Sequence, residues 1–174
     1  MGLINSTPQG KMNPLLQKTE QSIEAKINPK DKPAYQRIVL AGMKIAFDQS
    51  THSSLVQGLA QSQDPVHDVA IGVVGLLLIM NKQAKGTMPV PPMILAGMTL
   101  VLHGLDFLQQ AKGMNIGPNE IDTATKLYVQ TISPKVGLSP QVMQDSTTKA
   151  QGAMQNQQFM AKYKQSQGAQ NGTT

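Results

Sequence analysis

A short apolar block occurs twice in this chain. The sequence Leu-Ala-Gly-Met occupies residues 40–43 and again residues 95–98, and each copy follows a proline within an apolar segment of helical spacing. A helix-start signal follows each copy at the same distance along the chain, at Asp64 and at Asn119. The repeat therefore predicts two related helical hairpins that pack on one core.

The spacing of apolar residues is helical along most of the chain. It predicts core helices at 33–47, 65–85, 92–111 and 119–133, and shorter helical segments at about 14–27 and 51–60. The proline-rich residues 88–92 are expected to form a stiff, extended connector. Strand signals are absent, because no alternating Val/Ile/Thr run lies between turns. We therefore predict an all-α fold, a compact bundle of about five to six helices.

Polarity divides the chain into three parts. Residues 1–13 form a polar N-terminal arm, and residues 14–138 form the helical core domain. Residues 139–174 begin with a cap-and-proline signal, are rich in Gln and Met, and predict a long polar helix with a flexible end. Such a helix packs poorly on its own core, so we expect it to bind neighbouring subunits or to stay frayed. The predicted partner-binding residues are Met143, Met154, Phe159 and Met160.

Residues 69–80 form the most apolar stretch, in which every residue is apolar or glycine. Twelve helical residues span about 18 Å, which is short of the roughly 30 Å hydrocarbon core of a membrane. We therefore expect a helix that its neighbours bury on all sides, with Gly72 and Gly75 allowing another helix to approach closely. Membrane insertion stays open as the alternative.

The composition argues against most kinds of chemistry. There is no Cys, which removes disulfides, thiolate metal sites and Cys nucleophiles. The three histidines, His52, His67 and His103, have no metal-ligand spacing, and His67 and its neighbour Asp68 are expected on different faces of a helix. We expect His103 to be a satisfied core or interface histidine. The sequence predicts no catalytic, metal-binding or cofactor-binding residue, and no cofactor.

Two aspartates are the remaining candidates for shared chemistry. Asp48 and Asp106 each follow a copy of the repeat, and they would form a carboxylate pair if the two hairpins faced each other. Helix capping and surface solvation are the simpler roles for both. Phosphate-binding glycine loops and nucleophile elbows are absent from the sequence. We therefore expect a protein that is not an enzyme.

The charge and the N-terminal sequence argue against further classes of function, namely sequence-specific DNA binding and export by a cleavable signal peptide. The net charge is +5, but only 14% of the residues are charged, against about 25% in an ordinary domain. Arg37 is the single arginine and no basic cluster occurs, so sequence-specific DNA binding is not expected, although weak non-specific contact stays open. The N-terminus lacks the pattern of a cleavable signal peptide. Gly2 and Ser6 match a short N-myristoylation pattern that is often met by chance.

Several short motifs carry a resemblance to a known group. They are Asn-Pro-Leu-Leu-x-Lys-Thr-Glu at residues 13–20, Ala-Tyr-Gln-Arg-Ile-Val-Leu-Ala-Gly-Met-Lys at 34–44, Asp-Pro-Val at 64–66, Lys-Gly-Thr-Met-Pro at 85–89 and Gly-Leu-Asp-Phe at 104–107. Together they resemble small α-helical virion-associated structural proteins of tailed, short-tailed bacteriophages, which are usually encoded beside capsid and portal genes. The segment 13–140 carries the likeness.

The resemblance implies a structural role without catalytic residues. The expected protein is a non-enzymatic virion subunit, a neck or tail component or an internal protein ejected with the genome, made in the cytoplasm of the bacterial host. Its expected partners are further copies of itself in a homo-oligomer and other virion proteins of the portal, tail or core. Two alternatives stay open: a membrane-active ejected protein that helps to form a channel for genome delivery, and a nucleic-acid packing protein suggested by the net positive charge.

Overall fold

A computed structural model of the chain describes residues 12–48, 50, 57–59 and 61–138. These residues contain no strand, which confirms the all-α fold and the helical bundle. Their α-helices are α1 (Pro14–Glu24), α2 (Lys32–Ala46), α3 (Pro65–Gln83), α4 (Val90–Lys112) and α5 (Pro118–Ile132). Residues 57–59 are also helical. The predicted C-terminal helix and its four contact residues, Met143, Met154, Phe159 and Met160, lie outside the described residues, and so does His52.

The chain divides into two compact units, Met1–Ile132 and Ser133–Thr174. The five helices belong to the first unit. The described part of the second unit is a 3-10 turn, Ser133–Val136, followed by Gly137 at a φ of 76°. The backbone N–H of Leu138 closes this turn on the carbonyl of Ser133 at 3.0 Å. The division of the chain at residues 13 and 138 stays a prediction.

Each of these five helices has a proline in its first turn. The first N–H groups of a helix have no acceptor within it, so proline sacrifices no hydrogen bond there, and its fixed φ suits the helix. For this reason α4 begins at Val90 and takes Pro91 and Pro92 into its first turn, where the sequence analysis expected an extended connector. Side-chain caps add to the signal: Asn13 accepts the N–H of Leu15 at 2.9 Å, and Asp64 accepts that of His67 at 3.1 Å.

Left-handed residues end the two long helices. After α3, Lys85 and Gly86 have φ values of 55° and 73°, and the N–H of Gly86 binds the carbonyl of Asn81 at 2.8 Å. This six-residue closure ends α3 at Gln83, two residues before the predicted end. Gly113, at a φ of 65°, ends α4 as the sequence predicted.

Helix α4 is the centre of the first unit. It packs against α1, α2, α3 and α5, and most of its residues from Pro92 to Leu108 are buried. The equivalent helices of the two predicted halves also pack on each other, α2 on α4 and α3 on α5, whereas α2 and α3 make few contacts. The repeated block therefore lies on two helices that face each other.

The glycines of the repeated block are the points of closest approach. A Cβ at Gly42 would lie 2.6 Å from Cδ1 of Leu100, and one at Gly97 would overlap the hydroxyl of Tyr128 and lie 2.6 Å from Cδ1 of Leu77. Gly104, later on α4, has the same role against Val69, at 2.6 Å. Among the residues that the structure describes, no atom lies within 4 Å of a Cβ at Gly72 or Gly75, so these two glycines are not contact points between the described helices.

Two buried tyrosines complete the contacts of α4. The Tyr35 hydroxyl of α2 is hydrogen-bonded to the Thr99 hydroxyl at 2.8 Å, and both side chains are buried. Tyr128 of α5 donates to the carbonyl of Met93 at 3.4 Å. Burial raises the pKa of both tyrosines, which keeps them neutral. In the described residues no buried side-chain nitrogen or oxygen lacks a hydrogen-bond partner.

We expect Gly97→Ala to destabilise the fold and Gly72→Ala to stabilise it. The new methyl group at residue 97 must displace Tyr128, and overpacking of this kind costs about 1–3 kcal/mol or more. At the exposed helical residue 72 the methyl group meets nothing, and alanine is favoured over glycine by about 0.5–1 kcal/mol. Urea unfolding followed by circular dichroism measures both. Equal stability of the two variants would contradict the close α4–α5 contact.

Candidate functional site: an apolar groove above helix α4

One face of α3 is apolar but not covered by the described helices. Ile71 and Ile79 are 37% and 57% exposed, and only 33% of the most apolar window of the helix is buried. The expectation of a helix buried on all sides is therefore wrong. The cause lies in the packing, because α5 and α4 cover one side of α3, whereas α2 makes few contacts with it.

The space between α2 and α3 is a groove of about 740 Å³ with α4 as its floor. The α2 wall contributes Met43, Ala46 and Phe47; the α3 wall contributes Gly72, Gly75, Leu76 and Ile79; and the floor contributes Leu100, His103, Gly104 and Phe107. Gly58 and Leu59, from the helical residues 57–59, also line the groove. Among the lining residues that the structure describes, the polar ones are Ser50, Asp68 and His103.

The sequence produces the groove through two kinds of glycine. Because Gly42 has no side chain, α2 packs closely on α4, and Gly104 allows the same close packing of α4 on α3. Each wall of the groove therefore lies directly against the floor. Gly72 and Gly75 then leave the α3 wall without side chains where the space is open. Periodicity alone shows which face of a helix is apolar, but the partner of each glycine is visible only in the fold.

An aromatic pair links α2 to the floor of the groove. The rings of Phe47 and Phe107 meet edge to face, with centroids 6.1 Å apart and an angle of 71° between the ring planes. Such pairs are worth about 0.5–1.5 kcal/mol beyond their buried area. Two of the three phenylalanines of the chain lie in this groove. Phe47 is 39% exposed in the folded chain.

The histidine of the groove has a partner. Nε2 of His103 lies 3.1 Å from Oε1 of Glu20, and both side chains are mostly buried. This contact ties α1 to α4 and gives His103 the satisfied, structural role expected from the sequence. His67 and Asp68 lie in the exposed first turn of α3, and their side chains touch, with Nδ1 and Oδ1 3.4 Å apart. Of the two, Asp68 lines the groove and His67 does not. Hydrogen bonds from Ser62 and His67 lower the pKa of Asp68, which keeps this carboxylate charged.

Asp48 and Asp106 serve separate local structures. Asp48 follows the end of α2 and accepts the N–H and the hydroxyl of Ser50 at 2.9 and 2.5 Å, bonds that lower its pKa. Asp106 accepts the N–H of Asn13 at 3.2 Å and the amide of Gln110 at 2.6 Å, and thereby anchors the start of α1. Their hydrogen bonds therefore fit the capping role and not a shared catalytic site. Within the described ranges, no group of three or more His, Asp or Glu side chains is arranged to bind a metal ion.

The wall and the floor of the groove should respond differently to substitution. Ile79→Glu should change the free energy of unfolding by less than about 1 kcal/mol, because the side chain is 57% exposed. Leu100→Ala should cost about 2–5 kcal/mol, because this floor residue is only 4% exposed and its removal leaves a cavity. Urea unfolding of the two variants checks the difference. The comparison is made at a protein concentration at which both variants and the wild type are single chains. A loss of several kcal/mol in Ile79→Glu under that condition would mean that Ile79 belongs to the core.

Comparison with known proteins identifies no relative. No protein-family model matches the chain, and neither a curated protein nor a solved structure matches it. What the groove can bind follows from its shape and its lining: long apolar walls on two helices, an aromatic edge, and few polar groups to orient a small polar substrate.

Proposed function

We propose that the protein is a non-enzymatic structural subunit of a tailed-phage virion, which assembles by binding an apolar helix in the groove above α4. The observation that carries this proposal is the open apolar groove between α2 and α3. Apolar surface of this size is costly to leave in water, so contiguous patches mark sites of interaction. Recognition of a helix in a groove uses an arrangement of this kind, with apolar side chains one or two turns apart.

The lining of the groove favours assembly over catalysis. The described part of the lining has Ser50, Asp68 and His103 as its polar residues, and His103 is paired with Glu20. The low charge of the whole chain points the same way, because the cores of protein interfaces are depleted in charged residues. The partners we propose are further copies of the chain and the portal, tail or core proteins of the particle, with at most weak, non-specific contact with DNA.

The phage assignment is supported by the resemblance of the short motifs. Three of those motifs lie on the elements that build the groove. The motif at 34–44 belongs to α2 and includes Met43, the motif at 64–66 begins α3, and the motif at 104–107 supplies Gly104 and Phe107 to the floor. The particle location we propose is the neck, the tail or the ejected internal proteins.

The mass of the full-length protein in solution tests the assembly role. Light scattering at two concentrations should give a defined multiple of the 18.7 kDa chain. Ile79→Glu places a charge on the groove wall and should lower the mass toward that of one chain. Ile71→Glu is the matched control, since Ile71 is an exposed isoleucine of the same helix outside the groove, and it should leave the mass unchanged.

The opposite results would contradict the proposal. A wild-type protein that stays at one chain mass at both concentrations does not assemble with itself. Equal masses for the wild type and for Ile79→Glu, both well above one chain, would place the contact elsewhere. Circular dichroism of each variant shows whether a change in mass follows from unfolding.

A second candidate is a membrane-active protein that is ejected from the particle. The observation that favours it is the length of α3 and α4, which have 19 and 23 residues and are both apolar enough to cross a membrane. At 1.5 Å per residue the two helices extend about 28 and 34 Å, which is close to the thickness of the hydrocarbon core of a membrane. They are this long because each helix continues beyond its most apolar stretch. Against this candidate, half of the α4 window is buried within the fold.

Leakage of dye from liposomes separates the two candidates. A membrane-active protein releases the dye at neutral or acid pH, as α3 and α4 leave each other and enter the bilayer. A structural subunit leaves the liposomes intact at both pH values, and this is the result we expect. Rapid release by the wild type, retained in Ile79→Glu, would favour the membrane role over assembly through the groove.

A further inference from the structure

We propose that the groove of one copy binds residues 142–161 of a second copy as an amphipathic helix. This inference rests on the proposed assembly function and names the partner of the same site. The described structure ends at Leu138, and residues 139–174 follow it as one continuous stretch long enough to reach a neighbouring subunit. Reciprocal exchange between two copies would form the contact twice, as in a domain-swapped dimer.

The stretch carries one apolar stripe at helical spacing. On a helix with 3.6 residues per turn, its apolar residues fall within an arc of about 120°. They are Val142, Met143, Ala150, Ala153, Met154, Met160 and Ala161. The opposite side carries Gln144, Gln151, Gln155 and Lys162. Phe159 falls outside the stripe, so three of the four predicted contact residues, Met143, Met154 and Met160, lie on it.

The stripe and the groove have compatible side chains. A helix of residues 142–161 extends about 28 Å and the α3 wall from Asp68 to Ile79 extends about 17 Å, so the wall accommodates about twelve residues of the segment at a time. Gly72 and Gly75 leave room on this wall, and alanines in the stripe allow the two backbones to approach. Methionine fills the irregular remaining space, because its side chain is unbranched and flexible.

The charges are also complementary. Residues 139–174 carry three lysines, Lys149, Lys162 and Lys164, and one acidic residue, Asp145. The charged carboxylate among the lining residues is Asp68, at the start of the α3 wall. An excess of positive charge in the segment therefore meets negative charge beside the groove, which favours encounter and orientation more than affinity.

Cysteine cross-linking between two chains tests the pairing directly, because the native chain has no cysteine. One chain carries Ile79→Cys and the other carries Met154→Cys, and the two full-length proteins are mixed and oxidised. A disulfide needs Cβ atoms about 3.5–4.5 Å apart, so it reports close contact. We expect a covalent dimer of the two different chains, at least tenfold more abundant than with Ile71→Cys or Gln151→Cys as controls.

Three outcomes would overturn the inference. One is a covalent dimer that forms only between two Ile79→Cys chains. Another, in a chain that carries both Ile79→Cys and Met154→Cys, is a disulfide that forms only within that chain. The third is no disulfide above the level of the controls. The first would mean that grooves face each other, and the second would mean that the segment binds its own chain.

The mass of further full-length variants separates this inference from the proposed function. Met154→Glu should lower the mass as Ile79→Glu does, whereas Gln151→Glu should not. If Ile79→Glu lowers the mass and Met154→Glu does not, the groove assembles the protein but binds another partner, so this inference alone fails. If the wild type never exceeds the mass of one chain, the proposed self-assembly fails as well.

Discussion

The close approach of helices at three glycines is the constraint on which the rest of the structure depends. Gly42, Gly97 and Gly104 let α4 approach α2, α5 and α3 so closely that a Cβ there would lie within 2.6 Å of a side chain on the facing helix. A chain with 3% aromatic residues has few large side chains to fill wide gaps, so its core must be assembled from tightly spaced helices. The buried pair of Tyr35 and Thr99 then sets the register of α2 on α4 through a directed hydrogen bond.

The groove follows from the same constraint. Because α2 and α3 both pack on α4 and make few contacts with each other, the five described helices leave the surface between α2 and α3 uncovered. Ile79 on the α3 wall remains 57% exposed in the folded chain. Apolar side chains that stay in water have free energy to gain from a partner that covers them.

The sequence predicted the helices well and the groove poorly. Proline signals, helical spacing and the glycines after α3 and α4 are local, so they located the helices to within a few residues. Residues 69–80 looked like a wholly buried helix because composition does not show which side a neighbour covers, and Gly72 and Gly75 looked like packing sites for the same reason. The roles of Gly42, Gly97 and Gly104 depend on contacts between distant residues. The repeated block was nevertheless a usable signal, since both of its glycines became contact points.

The prolines at the helix starts have a consequence for how this chain can vary. A helix that begins with proline in its first turn cannot gain a turn at that end without placing the ring in its interior, where it costs about 3 kcal/mol. Insertions and deletions before α2, α3, α4 and α5 must therefore be absorbed by the connecting loops. Related sequences should keep the spacing of residues within each helix, and differ mainly in the number of residues between one helix and the next proline.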